Sequence, residues 1–191
     1  MLLYLISKPY LRMFTIQSKT TVMTKTKLKI LITSLLVSLA FATPVVAYTK
    51  WQARVLKRSK ECFYCDLSNI NLSNSDYKKM NVTGSVLQNA DFSNANLEKA
   101  NFTNTDLTEA EFDSANLQEA NLQESILKSA NFWGANLQKA NLRGANLTET
   151  IFWDADLRGA NLRDTDISNA SFIDAKLKGA ILPDGTVYPY K

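Results

Sequence analysis

Cys62 and Cys65 form a CxxC in "ECFYCDLS", and they are the only cysteines in the 191 residues. That spacing suits a disulfide, a redox-active dithiol or half of a metal site. A metal site needs further thiolate or imidazole ligands, and the chain has no other cysteine and no histidine. A redox centre would need a thioredoxin-like βαβ context, which the neighbouring residues do not resemble, so that role stands as the alternative reading. In an oxidising compartment the pair reads as a structural disulfide. Closing so short a loop would order local geometry more than it raises global stability. The absence of histidine also removes the commonest general base. The Asp and Glu residues are spread along the chain, with no pair marked as a desolvated acid beside an ionised base. No Gly-rich phosphate loop or nucleophile elbow appears. The sequence predicts no enzyme, no catalytic residues, no metal and no cofactor.

The formal charge of +4 conceals two opposite parts. Residues 1–64 hold eleven Lys/Arg against the single acid Glu61, whereas residues 65–184 hold ten Lys/Arg against seventeen Asp/Glu. The body is acidic, and the basic character belongs to the N-terminal part.

From Met23 the chain reads as an export signal. Lys25, Lys27 and Lys29 precede the apolar run Ile30–Ala42, and Val45 and Ala47 supply small residues at −3 and −1 of a cleavage site before Tyr48. Ala40 and Ala42 offer a second site, before Thr43. Residues 1–47 are therefore expected to be an N-terminal extension and signal. The alternative is an uncleaved anchor at residues 30–47, which is short of the roughly 20 apolar residues that span a bilayer. Met1, Met13 and Met23 are all candidate starts. Residues 48–64 are expected to hold a short amphipathic helix and linker. Thr49 would be its N-cap, Trp51, Val55 and Leu56 would share one face, and an apolar surface would lie beneath it.

From Cys65 to Asp184 the chain divides into twenty-four units of five residues without a slip. The third position is Leu in fifteen and Phe in six, and the first is Ala in fifteen. The second is Asn or Asp in seventeen, and the fifth is Gly, Asn or Asp in fifteen. Neither the helical period of 3.6 nor the strand period of 2.0 produces a five. First and third positions of a short extended segment share a face, and a turn at the fifth would close the chain into a coil. Phe92, Phe112, Phe132, Phe152 and Phe172 recur every twenty residues, as do Asn81, Asn101, Asn121, Asn141 and Asn161. Four units per coil would stack each series in a column.

Units such as "ANLQK", "ANLRG" and "ADLRG" resemble the pentapeptide repeat family, whose motif is A(D/N)LXX. The resemblance implies an all-β fold, a right-handed quadrilateral β-helix of about six coils over residues 65–184, with residues 48–64 capping one end. Stacked at strand spacing, the rod would be about 25–30 Å long. Pro183 would stop the other end, leaving residues 185–191 as a tail. A bare C-terminal coil edge would invite a homodimer. Exported cyanobacterial members carry a similar CxxC just before the first repeat, which implies that Cys65 fills an inward slot and that a bond to Cys62 pins the helix.

Sorted by coil face, the outward residues differ. The Phe face carries Asp91, Glu111, Asp113, Asp154 and Asp174 and no cation. The face of Tyr77 and Leu177 carries Lys78, Lys79, Lys99, Lys139, Arg158, Lys176 and Lys178 against four acids. On the Phe face Trp133, Trp153 and Ile173 occupy one outward position in consecutive coils, with Ile151 beside them. This strip is either a partner-binding surface or the seat of the tail, Val187–Tyr190. The leading expectation is an exported, non-catalytic scaffold for an unknown protein partner, in periplasm or thylakoid lumen. Nucleic acid is not expected as a partner, and a membrane only through an uncleaved signal. Two alternatives are a redox protein and, from the family resemblance, a DNA-mimicking protein that binds gyrase. The basic face would interrupt such mimicry.

Native protein from fractionated cells is expected to begin at Tyr48 or Thr43 and to weigh two hydrogens less than the reduced chain. Intact mass and N-terminal sequencing would detect this. A cytosolic chain keeping Lys25–Lys29 and both thiols would put gyrase binding first.

Overall fold

The computed structural model of the protein describes residues 45–189. The apolar run Ile30–Ala42, the lysines before it and Tyr190 lie outside them.

Every parallel bridge joins a residue to one twenty places on, from Glu61–Asn81 through Asn161–Ile181. Four five-residue segments therefore complete each circuit, giving a β-helix. No segment among the described residues pairs over more than one isolated bridge. The reason lies at the fifth position. Asn69, Asn74, Lys79, Asn89 and their successors have φ of 53–62° and Gly84, Gly134, Gly144, Gly159 and Gly179 of 63–74°, so the chain turns before a longer strand can form. Even Glu109, Glu119 and Lys139 adopt this left-handed conformation, which costs a non-glycine residue roughly 1–2 kcal/mol. Gly84 has a further reason to be glycine, because a Cβ there would lie 2.5 Å from the Tyr64 ring.

The backbone N–H groups of a unit are satisfied by one repeated scheme. In the unit from Cys65, the third-position N–H of Leu67 reaches the Val86 carbonyl and the fifth-position N–H of Asn69 reaches the Gln88 carbonyl, both at 2.8 Å in the next coil. The next first-position N–H, Ile70, closes the turn onto Leu67 at 3.2 Å. Second-position N–H groups point the other way, as Val86 does to the Cys65 carbonyl at 2.8 Å. Only the fourth N–H lacks a backbone partner, and where the second residue is Asn or Asp its side chain accepts it. Ser68 N–H donates to Asp66 Oδ1 at 3.1 Å, Thr83 to Asn81 at 3.2 Å and Thr103 to Asn101 at 3.1 Å. This Asx turn explains why Asn and Asp fill the second position.

Inside, the five phenylalanines form one stack, with centroids 4.9, 4.6, 5.1 and 5.0 Å apart and rings within 9° of parallel. Phe102, outside that series, meets Phe92 and Phe112 edge-on at 5.6 and 6.1 Å. Alanines at first positions leave room for these rings and for the leucines. Where Ser or Thr replaces Ala from Ser85 to Thr165 the hydroxyl is buried and donates to a carbonyl, as Ser85 does to Cys62 at 2.9 Å and Thr150 to Leu127 at 2.9 Å. The Asn column bonds residue to residue over its last three members, Asn141 to Asn121 at 3.1 Å and Asn161 to Asn141 at 3.3 Å, while Asn121 donates to Thr103 Oγ1 at 2.8 Å. A second column, Asn96, Asn116 and Asn136, does the same at 3.2 and 3.1 Å.

Three expectations need correction at the ends. Helix α1 spans Val45–Ser59, so it starts before Thr49, which lies within it and is no N-cap. Its buried side is Gln52 and Leu56, with Leu56 in the same core cluster as Leu67 and Phe92, while Trp51 and Val55 remain half-buried. The repeat also begins one unit earlier, at Lys60. Glu61 bridges to Asn81, Cys62 fills a large inward slot, and Tyr64 turns with φ of 54°. Lys60, with φ of 56°, ends α1 by donating its N–H to the Leu56 carbonyl at 2.8 Å. At the other end the tail occupies part of the edge expected to be bare. Val187 pairs antiparallel with Ile181, and Tyr188 N–H donates to Ala180 at 2.8 Å.

Replacing Phe132 by Ala removes one ring from the middle of the stack. The expected loss is about 3–5 kcal/mol, measurable as a lower urea midpoint followed by circular dichroism.

A candidate interaction surface on the phenylalanine face

Trp133, Trp153 and Ile173 sit at fourth positions, where the side chain points away from the core. They are 51, 44 and 56% exposed, while Phe132 and Phe152, one residue before the two tryptophans, are fully buried. Each indole N–H is held by the following coil, Trp133 Nε1 by Asp154 Oδ2 at 3.3 Å and Trp153 Nε1 by Ser171 Oγ at 2.7 Å. These bonds fix the rings without covering them. Ile151 lies half-buried between its bridge partners Asn131 and Ser171. The described part of the tail pairs with Gly179–Ile181, on another side of the last coil from the strip.

The carboxylates of this face are differently occupied. Glu111 accepts Asn131 Nδ2 at 3.0 Å, and Asp91 accepts Asn71 Nδ2 and the Ser93 N–H, each at 2.9 Å. Burial alone would raise the Asp91 pKa, but bonds from the Ser93 backbone and hydroxyl and from Ser73 outweigh it and hold the carboxyl below the ordinary range. Asp113 lacks such help. Its Oδ1 is buried with no hydrogen-bond partner, and burial, followed by the Asp91 charge, pushes its carboxyl up. Nothing in the repeat pattern distinguishes Asp113, because both the burial of its carboxyl and the Asp91 charge one coil away arise only in the folded coil.

On the adjacent basic face several charges are already paired. Lys78 meets Glu98 at 2.6 Å, Lys99 meets Glu98 and Glu119 at 3.5 Å each, and Arg158 meets Asp156 at 2.6 Å. The Arg158 guanidinium is the main reason that the Asp156 carboxyl lies below its usual range.

Cys62 and Cys65 occupy neighbouring inward slots, third position of one unit and first of the next, and their sulfurs are bonded to each other. Ser85 ties the pair to the next coil, its Oγ accepting the Cys65 N–H at 3.0 Å and donating to the Cys62 carbonyl. Among the described residues no group of three His, Cys, Asp or Glu side chains could hold a metal ion. No helix among them is long and apolar enough to cross a membrane.

An unbroken hydrogen-bonded coil whose variation is confined to outward positions defines a β-solenoid repeat protein. Eight copies of the pentapeptide repeats family match here, over residues 65–104, 85–123, 115–154, 125–164 and 145–182, which together cover more than half of the chain. The chain belongs to the pentapeptide repeat family, and its fold is the family's right-handed β-helix. Among solved structures it is similar to the pentapeptide repeat protein Rfr23 from the cyanobacterium Cyanothece 51142, at 24% identity over 67% of this chain and 94% of that one, with a TM-score of 0.49. A pentapeptide repeat protein from the Arabidopsis thaliana thylakoid lumen is 33% identical over 53% of this chain and 68% of that one, with a TM-score of 0.29. Trypsin-treated QnrB1, a plasmid-mediated fluoroquinolone resistance protein, is 16% identical over 63% and 78%, with a TM-score of 0.40. No curated protein sequence matches the chain.

Asp113→Asn tests the orphaned carboxylate. A carboxyl whose folded pKa is raised weakens the fold as pH climbs from its unfolded value through the folded one, and has no effect below both. The variant should therefore melt higher than the parent at pH 7, and the gain should vanish near pH 3. An equal gain at both would trace the effect to packing instead.

Proposed function

We propose that the protein is an exported, non-catalytic scaffold that binds a protein partner through Trp133, Trp153, Ile173 and Ile151. Six coils, closed at the N-terminal end by α1, would present this strip on a straight, rigid face. The observation that carries the reading is the exposure of two tryptophans whose N–H groups are satisfied and whose rings are not covered. Large aromatic groups held in place before binding lose little entropy on contact, and they commonly anchor interfaces. The surrounding acids, with no cation among them, select the chemistry of the partner. Asp154 and Asp174 flank the strip and Glu111 and Asp113 precede it, so a complementary surface is apolar at its centre and basic at its rim.

Export, to periplasm or thylakoid lumen, rests on the sequence from Lys25 to Ala47. The Cys62–Cys65 bond fits such a compartment, because disulfides persist where thiols are not kept reduced. Gyrase binding ranks second. It is supported by the acids of the Phe face and opposed by the seven cations of the Tyr77–Leu177 face.

A Trp133→Ser/Trp153→Ser variant is expected to lose the partner that the parent retains in a pull-down from native extract, while keeping its circular dichroism spectrum. An unchanged set of retained proteins would remove the strip as the binding surface.

A further inference from the structure

The outward side of α1 carries a second surface that the repeat does not explain. Trp51, Arg54, Val55 and Arg58 follow the i, i+3, i+4, i+7 spacing of one helical stripe, and with Lys57 they line a shallow open depression. The stripe lies away from the buried Gln52 and Leu56. Its two apolar members stay half-buried and its cations are exposed. Residues 45–60 contain five Lys/Arg and no acid.

Pairing separates these cations from five of the ten in the repeat body. Lys78, Lys99, Arg143, Arg158 and Arg163 each lie within 4.0 Å of a carboxylate, and Lys60 at the end of α1 reaches Asp76 at 3.2 Å. Arg54, Lys57 and Arg58 meet no carboxylate among the described residues. Lys57 and Arg58 lie in the last turn, where the helix dipole favours positive charge. That does not account for Arg54 or for an indole between cations.

We infer that this stripe docks on the surface of an anionic lipid bilayer. An aromatic ring and a valine between guanidinium groups suit the boundary between headgroups and acyl chains, where the apolar parts enter and the cations stay with the phosphates. Nucleic acid offers the same charge but no place for Trp51 and Val55. The repeat body, with seven more acids than bases, is repelled by such a surface, so contact through α1 sets the rod end-on and leaves the Trp133–Ile173 strip accessible. The apolar run Ile30–Ala42 ends just before α1 in the sequence. The stripe, which begins at Trp51, is retained whether or not the chain is cut before Tyr48.

The full chain is mixed with vesicles of phosphatidylcholine, with and without about one-quarter phosphatidylglycerol, and the bound fraction is measured by flotation. Binding should favour the anionic vesicles and fall steeply as added salt screens the charges. Each cation near such a surface contributes about fivefold, so Arg54→Gln/Lys57→Gln/Arg58→Gln should weaken binding roughly a hundredfold. A Lys79→Gln/Lys139→Gln/Lys176→Gln control makes the same charge change on the repeat and should bind like the parent. Equal binding to neutral vesicles, or equal losses in both variants, overturns the assignment. So does self-association without vesicles, if the α1 variant abolishes it and no vesicle binding is seen, because the stripe would then serve the acidic face of another copy.

Discussion

The structure depends on satisfying five backbone N–H groups in every five residues while the chain turns through a right angle. Four of them find carbonyls, two in the next coil, one in the preceding coil and one within the turn, and the fourth position relies on an Asn or Asp side chain two residues back. This requirement sets the residue types. The fifth position must accept positive φ, the second must reach a nearby N–H, and the first must be small where a large third-position side chain fills the interior. Breaking one of the second-, third- or fifth-position bonds disturbs a neighbouring coil, because each of these joins two coils.

Much of this was legible in the sequence. The twenty-residue recurrence of Phe92 to Phe172 gave the number of units per coil, and the structure stacks those rings in one column. The Ala/Leu alternation identified the inward side chains. The unit starting at Lys60 is hidden in the sequence because its slots hold Lys, Cys and Tyr, and a bonded sulfur takes the place of a leucine. The start of α1 was also misplaced. Thr49 has the chemistry of an N-cap, yet the preceding Val-Val-Ala already lies in the helix. Gln52 is buried although its side chain is polar, with Oε1 unpartnered. Hydropathy alone would therefore have turned Trp51 inward.

The surface was less legible, for a physical reason. Outward residues are nearly free of the fold's demands, so their types carry little structural information, and meaning appears only when coil geometry brings them together. Trp133 and Trp153 could be aligned from their spacing, but the bonds that hold their rings needed coordinates. The buried, unpartnered Oδ1 of Asp113 and an Arg54 that meets no carboxylate among the described residues could not be read from sequence at all, since each is defined by what its neighbours offer.

The twenty-residue bridge register also constrains how this molecule can change length. Deleting a single five-residue unit would preserve the hydrogen-bond scheme and the core pattern, yet move every later residue onto the adjacent face. A unit lost between Trp133 and Trp153 would leave the two rings on different sides of the rod, and the Phe column would break at the same point. Length can vary without scrambling the outer surface only in whole circuits of four units. A face of this protein is therefore inherited in blocks of twenty residues, and sequence comparison of its outer surface is meaningful only in that register.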